Sequence, residues 1–261
     1  MKVSVVVTSC DHFSECWEPF IKSIDKHWGD CPWDINIISN YQSIKSEKVK
    51  FINVGEDKGW ASNLKVALKQ IDSNYIIYLH EDYFLNGKVN SEIINEHIIY
   101  CANNNVDYLR LFGPFFDQFS ITGTNYSLSP KSKSYRLCLR NSIWKKESFE
   151  KLLIDGSSAW EFEWYIEKHI SNNNLSIKSY VLQSQYYPSQ AIPSLEHTAV
   201  HKGMWTQQGY DFLKENGFEN ILNKREKEGF IITYIIENEN KWIKPFLSIV
   251  LRFLIRFKIN I

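Results

Sequence analysis

No cysteine in this sequence has the spacing of a metal knuckle or a redox pair. The five cysteines, Cys10, Cys16, Cys31, Cys101 and Cys138, are odd in number and scattered, with no CxxC or CxxH among them. That argues against a structural zinc or a disulfide framework, and a reducing, cytosolic compartment is the expectation. Net charge is absent too: 30 Lys and Arg balance 30 Asp and Glu, so the body of the protein carries no field suited to nucleic acid. Glycine is missing from TSCDHFSE, residues 8–15, just after the first apolar run. A nucleotidyltransferase would need a glycine-rich, cation-bearing phosphate loop there, which disfavours that class. Long apolar runs are also lacking. MKVSVVVTSCDHF is too short for a signal peptide and reads as a strand. The tail KWIKPFLSIVLRFLIRFKINI, residues 241–261, is interrupted by Arg252 and Arg256, so it is too short and too charged to span a bilayer. There is no internal repeat, low-complexity segment or linker.

What the chain has in excess is aromatic: 15% of residues, with nine Trp and fourteen Tyr. Such rings suit sugar or base stacking as well as packing. A length of 261 residues accommodates one large α/β domain. VSVVVTS (3–9) is a continuously apolar, β-branched strand of the kind buried on both faces of a parallel sheet. The pattern predicts a helix from about 13 to 27, strands at 33–39 and 49–54, a helix at 59–71 and a strand at 75–80. It continues with a helix near 91–104, strands at 106–112 and 135–144, helices at 146–156 and 158–170, and a strand at 177–183. Strands and helices alternating at short spacing argue for an open, mostly parallel α/β sheet with flanking helices.

Ligands of such sheets bind beyond the carboxyl ends of the strands. YIIYLHEDYFLNG, residues 75–87, ends its apolar run in His80, Glu81 and Asp82. Adjacent carboxylates beside a buried strand are costly unless a cation meets them. The expected cation is a divalent ion, Mn2+ or Mg2+, which binds one or two carboxylates plus phosphate oxygens. Thr8, Ser9 and Asp11 at the end of the first strand, and Asn40 at the end of the second, supply hydroxyls, a carboxylate and an amide on the same rim. Together they suggest a nucleoside-diphosphate site with a metal. A second acidic cluster is Glu161 and Glu163 in SSAWEFEW, where Trp160, Phe162 and Trp164 would form an apolar wall that raises a carboxylate pKa. Residues two apart on a helix do not share a face, so one of the two at most points into a given pocket.

The order VVVTSCDHFSECWEPF, EDKGWASNLKVAL, YIIYLHEDYFL, LRNSIWKKESFEKLL, SAWEFE and HTAVHKGMW resembles bacterial nucleotide-sugar glycosyltransferases of the GT-A fold, more narrowly those of O-antigen and capsule gene clusters. The similarity covers residues 3 to 206. It implies a GT-A-like domain over 1–206, with a nucleotide-sugar half (1–115) and an acceptor half (116–206), followed by a helical C-terminal extension over 207–261. In that family an Asp-any-Asp motif after strand four holds the metal and the diphosphate. Asp82 matches its last position, and His80 stands in place of the first Asp. The ion is then held by Asp82 with Glu81, or is not strictly required. The family's general base matches the WEFE segment, with Glu163 preferred and Glu161 the alternative. A late metal or diphosphate His points to His197 or His201.

The resemblance further implies an inverting displacement, with transfer from a nucleotide-diphosphate sugar, UDP being expected, to a saccharide acceptor. Lys58 or Lys202 would add positive charge. Trp60, Asn63 and Arg110 are expected donor contacts, and Trp144, Tyr186 and Tyr187 would stack on acceptor sugars. The basic amphipathic tail 241–261 suits an anionic membrane surface. A cytosolic enzyme peripheral on the inner membrane could there reach a lipid-linked acceptor. The rival from another class is a non-catalytic sugar-binding scaffold.

Overall fold

The structure is a computed structural model in which residues 1–112, 119–120, 124–129, 136–182 and 191–229 are described, the backbone alone at 119 and 120. The chain divides into two compact units, Met1–Ser194 and Leu195–Ile261. In the first, β1 (Val3–Thr8) leads through a 3-10 segment (Asp11–Cys16) into α1 (Trp17–His27). Then follow β2 (Asp34–Ser39), β3 (Val49–Asn53), α2 (Trp60–Lys69), β4 (Tyr75–His80), α3 (Ser91–Asn103), β5 (Tyr108–Arg110), β6 (Phe119–Ser120) and β7 (Tyr126–Leu128). The unit continues with β8 (Ser142–Lys145), α4 (Lys146–Leu152), α5 (Ala159–Asn172) and β9 (Ser179–Leu182). The second unit contains β10 (Val200–His201), β11 (Met204–Trp205), α6 (Gln207–Glu215) and a 3-10 segment (Glu219–Lys224).

The α/β class and the open sheet with flanking helices are as expected. The large sheet runs β3-β2-β1-β4-β8-β5-β9-β7-β6. Its first four strands are all parallel, and the apolar runs of β1 and β4 are buried on both faces, as parallel strands require. Beyond β4, β8 enters antiparallel to both β4 and β5, β5 and β9 pair in parallel, and β7 and β6 are antiparallel. From β1 the chain winds outward through β2 and β3, then returns to place β4 on the other side of β1. The direction of winding therefore reverses between β1 and β4, where Thr8 and His80 are register partners. In open α/β sheets such a switch point leaves a crevice at the carboxyl ends of the strands.

One core cluster joins α2 (Leu64, Ala67, Leu68) to α4 (Phe149, Leu152), α5 (Phe162, Ile166, Ile170) and the sheet residues Tyr78, Tyr108 and Trp144. The helices carry these residues at three- and four-residue spacing, which sets one apolar stripe toward the sheet. Trp144 corrects an expectation. It is fully buried, stacked on Phe149 at 4.1 Å between centroids and 9° between planes, and its Nε1 donates to Ser142 Oγ. A ring in that position holds the core together and does not meet an acceptor sugar. Trp144→Ala is expected to lower the unfolding free energy by about 3–5 kcal/mol in urea titrations. A midpoint close to wild type would contradict that placement.

The expected strand at 135–144 is shorter than its apolar pattern suggests. Only Ser142–Lys145 pairs as β8, and 136–141 is buried but irregular. Its polar backbone is paired elsewhere: Leu139 N donates to Glu163 Oε1 at 2.6 Å, and the Tyr108 hydroxyl bonds both Cys138 O and Cys138 N. Side chains from β5 and α5 thus replace a neighbouring strand, which satisfies the rule that buried backbone groups be paired.

His97, buried on α3, bonds Tyr126 Oη through Nδ1 at 2.8 Å. Burial pushes its pKa down from 6.5 to about 4. The unfolded chain binds a proton at this residue below about pH 6.5, whereas the folded chain does not until about pH 4, so stability falls as pH drops through that window. The contribution is about 3 kcal/mol. Urea midpoints at pH 7.5 and 4.5 should therefore differ more for wild type than for His97→Gln. Equal pH dependence in the two proteins would contradict the account.

Candidate functional site

At the switch point a small hydrogen-bonded hub joins β1, β4 and α2. Thr8 Oγ1 bonds the Tyr78 hydroxyl at 2.9 Å and His80 Nδ1 at 3.0 Å. The Tyr78 hydroxyl also bonds His80 Nε2 at 3.2 Å and receives Trp60 Nε1–H at 3.1 Å. Burial pushes the His80 pKa down to about 4, so this imidazole is neutral near pH 7. Trp60 packs edge-on against Phe162 and is tied to Tyr78, which makes it part of the wall of the site.

Next to the hub, Asp11 and Asn40 clasp the loops that follow β1 and β2. The Asp11 carboxylate accepts from the backbone N–H groups of Asn40, Tyr41 and Gln42, and Asn40 Oδ1 accepts from Asp11 N. Ser9 Oγ accepts from Trp17 Nε1 at 2.7 Å. Asn63 organises the loop ahead of α2, accepting from Lys58 N and donating to Asp57 Oδ1. Lys58 itself is exposed and lies 3.9 Å from Glu56. Gly59 before α2 has φ +87° and Gly156 before α5 has φ +78°, a backbone region that favours glycine. These turns are stitched together, with Ala61 N donating to Ser157 O and Gly156 N to Ser62 Oγ, which fixes the start of α5 against the start of α2.

Glu81 and Asp82 follow β4 directly and are 5% and 9% exposed. Ligand atoms of His80, Glu81 and Asp82 lie within 4.8 Å of one another. Both His80 nitrogens already meet hydroxyls, which leaves the carboxylates of Glu81 and Asp82 as the oxygen donors whose chemistry suits a hard divalent cation.

Glu163 and Glu161 separate cleanly. Glu161 is exposed and closes a reciprocal capping box with Ser158, giving it a structural role at the first turn of α5. Glu163 turns inward. Burial raises its pKa, and this outweighs the opposing effects of the Leu139 N–H, the Cys138 thiol and the Arg110 guanidinium. Arg110 is buried at the end of β5 and donates to Arg136 O at 3.2 Å. The expected wall of Trp160 and Trp164 is corrected: both are exposed, and of the three flanking rings Phe162 alone is buried. Burial also pushes the thiols of Cys10 and Cys138 up, to about 11 and about 12, so neither is a thiolate nucleophile near pH 7.

The two acidic clusters bear on the same phenols. Glu81 and Glu163 both act electrostatically on Tyr78, and Asp82 and Glu163 both act on Tyr83. Arg140 also acts on Tyr83, with its guanidinium 5.1 Å from that ring and 4.8 Å from Phe112. Tyr78, Tyr83 and Arg140 are absent from the residues the sequence singles out. Arg140 falls in a segment that reads as strand, and its position depends on the irregular course of 136–141. A separate surface cavity of about 310 Å3, whose lining includes Asp155, Ser157, Glu161 and Tyr165, includes none of the inward acids.

His197, His201 and Lys202 lie in the second unit. His201 Nδ1 meets the buried Glu228 carboxylate, His197 N donates to Gln208 Oε1, and Lys202 sits at the β10–β11 turn with φ 48°. Tyr186, Tyr187 and the tail 241–261 lie outside the described residues. Among the described residues no helix is long and apolar enough to cross a membrane.

No family model matches the chain, and no curated protein matches it. Among solved structures it is similar to S. aureus TarS 1-349, with a TM-score of 0.48 and 13% identity over 85% of this chain and 66% of that one. The same TarS fragment in complex with UDP-GlcNAc gives a TM-score of 0.44 at 12% identity, over 85% of this chain and 67% of that one. A cytidylyltransferase from Leptospira borgpetersenii serovar Hardjo-bovis gives 0.45 at 12% identity, over 76% of this chain and 82% of that one. The chain thus spans about two thirds of the length of the TarS fragment. These likenesses are of architecture and carry no activity across.

Proposed function

We propose that the chain is a glycosyltransferase that moves a sugar from a nucleotide-diphosphate sugar, with UDP the expected nucleotide, to a saccharide hydroxyl with inversion. The observation that carries this reading is an inward glutamate, Glu163, bonded to Leu139 N, together with the buried Glu81–Asp82 pair directly after β4 at the sheet switch point. Glu163 takes the proton from the acceptor hydroxyl, whose oxygen forms the new bond at the anomeric carbon. The bond from that carbon to the diphosphate oxygen breaks, and the nucleoside diphosphate leaves with the electron pair. Arg140, already held over Tyr83, is the cation best placed in this account to meet the developing charge. Asp82 and Glu81 would hold a divalent cation, which supplies charge neutralisation at the diphosphate when bound. His80 replaces an acid with a neutral ring whose nitrogens both meet hydroxyls, making it a positioning group for the hub.

The finer reading extends to surface-polysaccharide synthesis, with the basic tail 241–261 resting on the cytoplasmic face of the inner membrane near a lipid-linked acceptor. The test is a panel of UDP-, GDP- and CMP-sugars with Mn2+ or Mg2+, read as nucleotide release and thermal stabilisation. Release of nucleoside diphosphate supports the proposal. Pyrophosphate formed from CTP or UTP and a sugar phosphate would identify a nucleotidyltransferase instead. An absence of both turnover and stabilisation would favour a binding scaffold.

A further inference from the structure

Residues 160, 163, 164 and 167 of α5 share one face at helical pitch. The two acids of that face are anchored inward, Glu163 by Leu139 N and Glu167 by Arg136 Nε at 2.7 Å. The two indoles point out, with Trp160 60% and Trp164 59% exposed, one helical turn apart. These two large rings stand in water on the helix that carries the candidate base, whereas the indoles of Trp17, Trp28, Trp144 and Trp205 are fully buried.

We propose that Trp160 and Trp164 form the stacking platform for the acceptor saccharide, resting on the glycosyltransferase reading of Glu163. Aromatic faces meet the C–H faces of sugar rings, while neighbouring carboxylates accept from sugar hydroxyls. Glu161 stands exposed at the adjoining position, while Glu163 and Glu167 are engaged from inside by Leu139 N and Arg136 Nε, so the charge left beside the indoles is that of a carboxylate. That charge suits a neutral polyol and opposes an anionic lipid surface, which calls for Lys and Arg around its aromatic anchors. The platform also takes the place of Trp144, which the core occupies.

The test uses the full chain, the UDP-sugar it turns over, and a panel of methyl glycosides and disaccharides of glucose, galactose, mannose and their N-acetylamino forms. Trp160→Ala and Trp164→Ala should each raise the acceptor KM about tenfold. Donor KM serves as the internal reference, and Trp→Phe should recover most of the loss. Tyr165→Ala, on another side of the helix, is the surface control. An unchanged acceptor KM in both variants overturns the platform while transfer by wild type keeps the broader function. If wild type turns over no nucleotide-sugar, the broader function fails, and indole fluorescence on titration with the same glycosides decides the platform alone. Quenching lost in the two variants supports it, and its absence in wild type overturns it. Loss of vesicle binding or of self-association in the variants, with no change in saccharide response, also overturns it.

Discussion

Glu163→Gln lowers kcat for sugar transfer by about a thousandfold, within the range general-base removal produces. The substitution is nearly isosteric, and the amide oxygen of Gln can still accept from Leu139 N, so the 136–141 segment keeps its course. What disappears is the group that takes the proton. The sign of the pH dependence follows from the raised pKa. A general base acts when deprotonated, so wild-type activity falls as pH drops through a carboxylate pKa lying above its ordinary 4.5. The Gln variant, with no such group, loses that acid limb. Glu161→Gln should keep the capping box at the start of α5, since the amide oxygen of Gln can still accept from Ser158 N, and leave transfer at wild-type rate, because residue 161 closes a helix turn at the surface. Equal loss in the two variants would mean that neither is the base.

Asp82→Asn is the second large effect, an expected fall in transfer of about a hundredfold or more. Glu81 and Asp82 stand side by side at 5% and 9% exposure directly after β4, where a divalent cation would join them to the diphosphate. Chelation should therefore remove activity, and Mn2+ or Mg2+ should restore it in wild type. In the variant, restoration should need a far higher ion concentration. Direct titration with Mn2+ in a calorimeter reads the same loss without any turnover. Full activity of Asp82→Asn, or indifference of wild type to chelation, would remove the metal role and leave Arg140 as the chief counter-charge.

The parts of the fold that were readable in advance are those where one physical requirement dominates the residue choice. β4 is expected and found at residues 75–80, because a strand buried on both faces between parallel neighbours admits little but apolar residues. The switch point follows from the order of such strands. The course of 136–141 was not readable. Its apolar alternation is that of a strand, while its pairing is decided by Tyr108 and Glu163 from distant parts of the chain. Tryptophan exposure was equally hidden in composition, since Trp144 and Trp160 look alike as letters and occupy opposite environments.

Helical phase did contain one usable signal. Phe162, Ile166 and Ile170 form the buried stripe of α5. At about 100° per residue, Glu163 lies about 60° from the centre of that stripe and Glu161 about 140° away. The choice between the two acids was therefore present in the spacing, and so was the outward direction of Trp160. Arg140 offered no such signal, because its position depends on a loop that reads as a strand.

The most direct test of the account is a proton NMR time course of an α-linked UDP-sugar with saccharide acceptor, run with wild type and with Glu163→Gln. Wild type should release UDP stoichiometrically and form a β-linked product, and the variant should do neither. Retention of the α configuration, or undiminished transfer by Glu163→Gln, would contradict it.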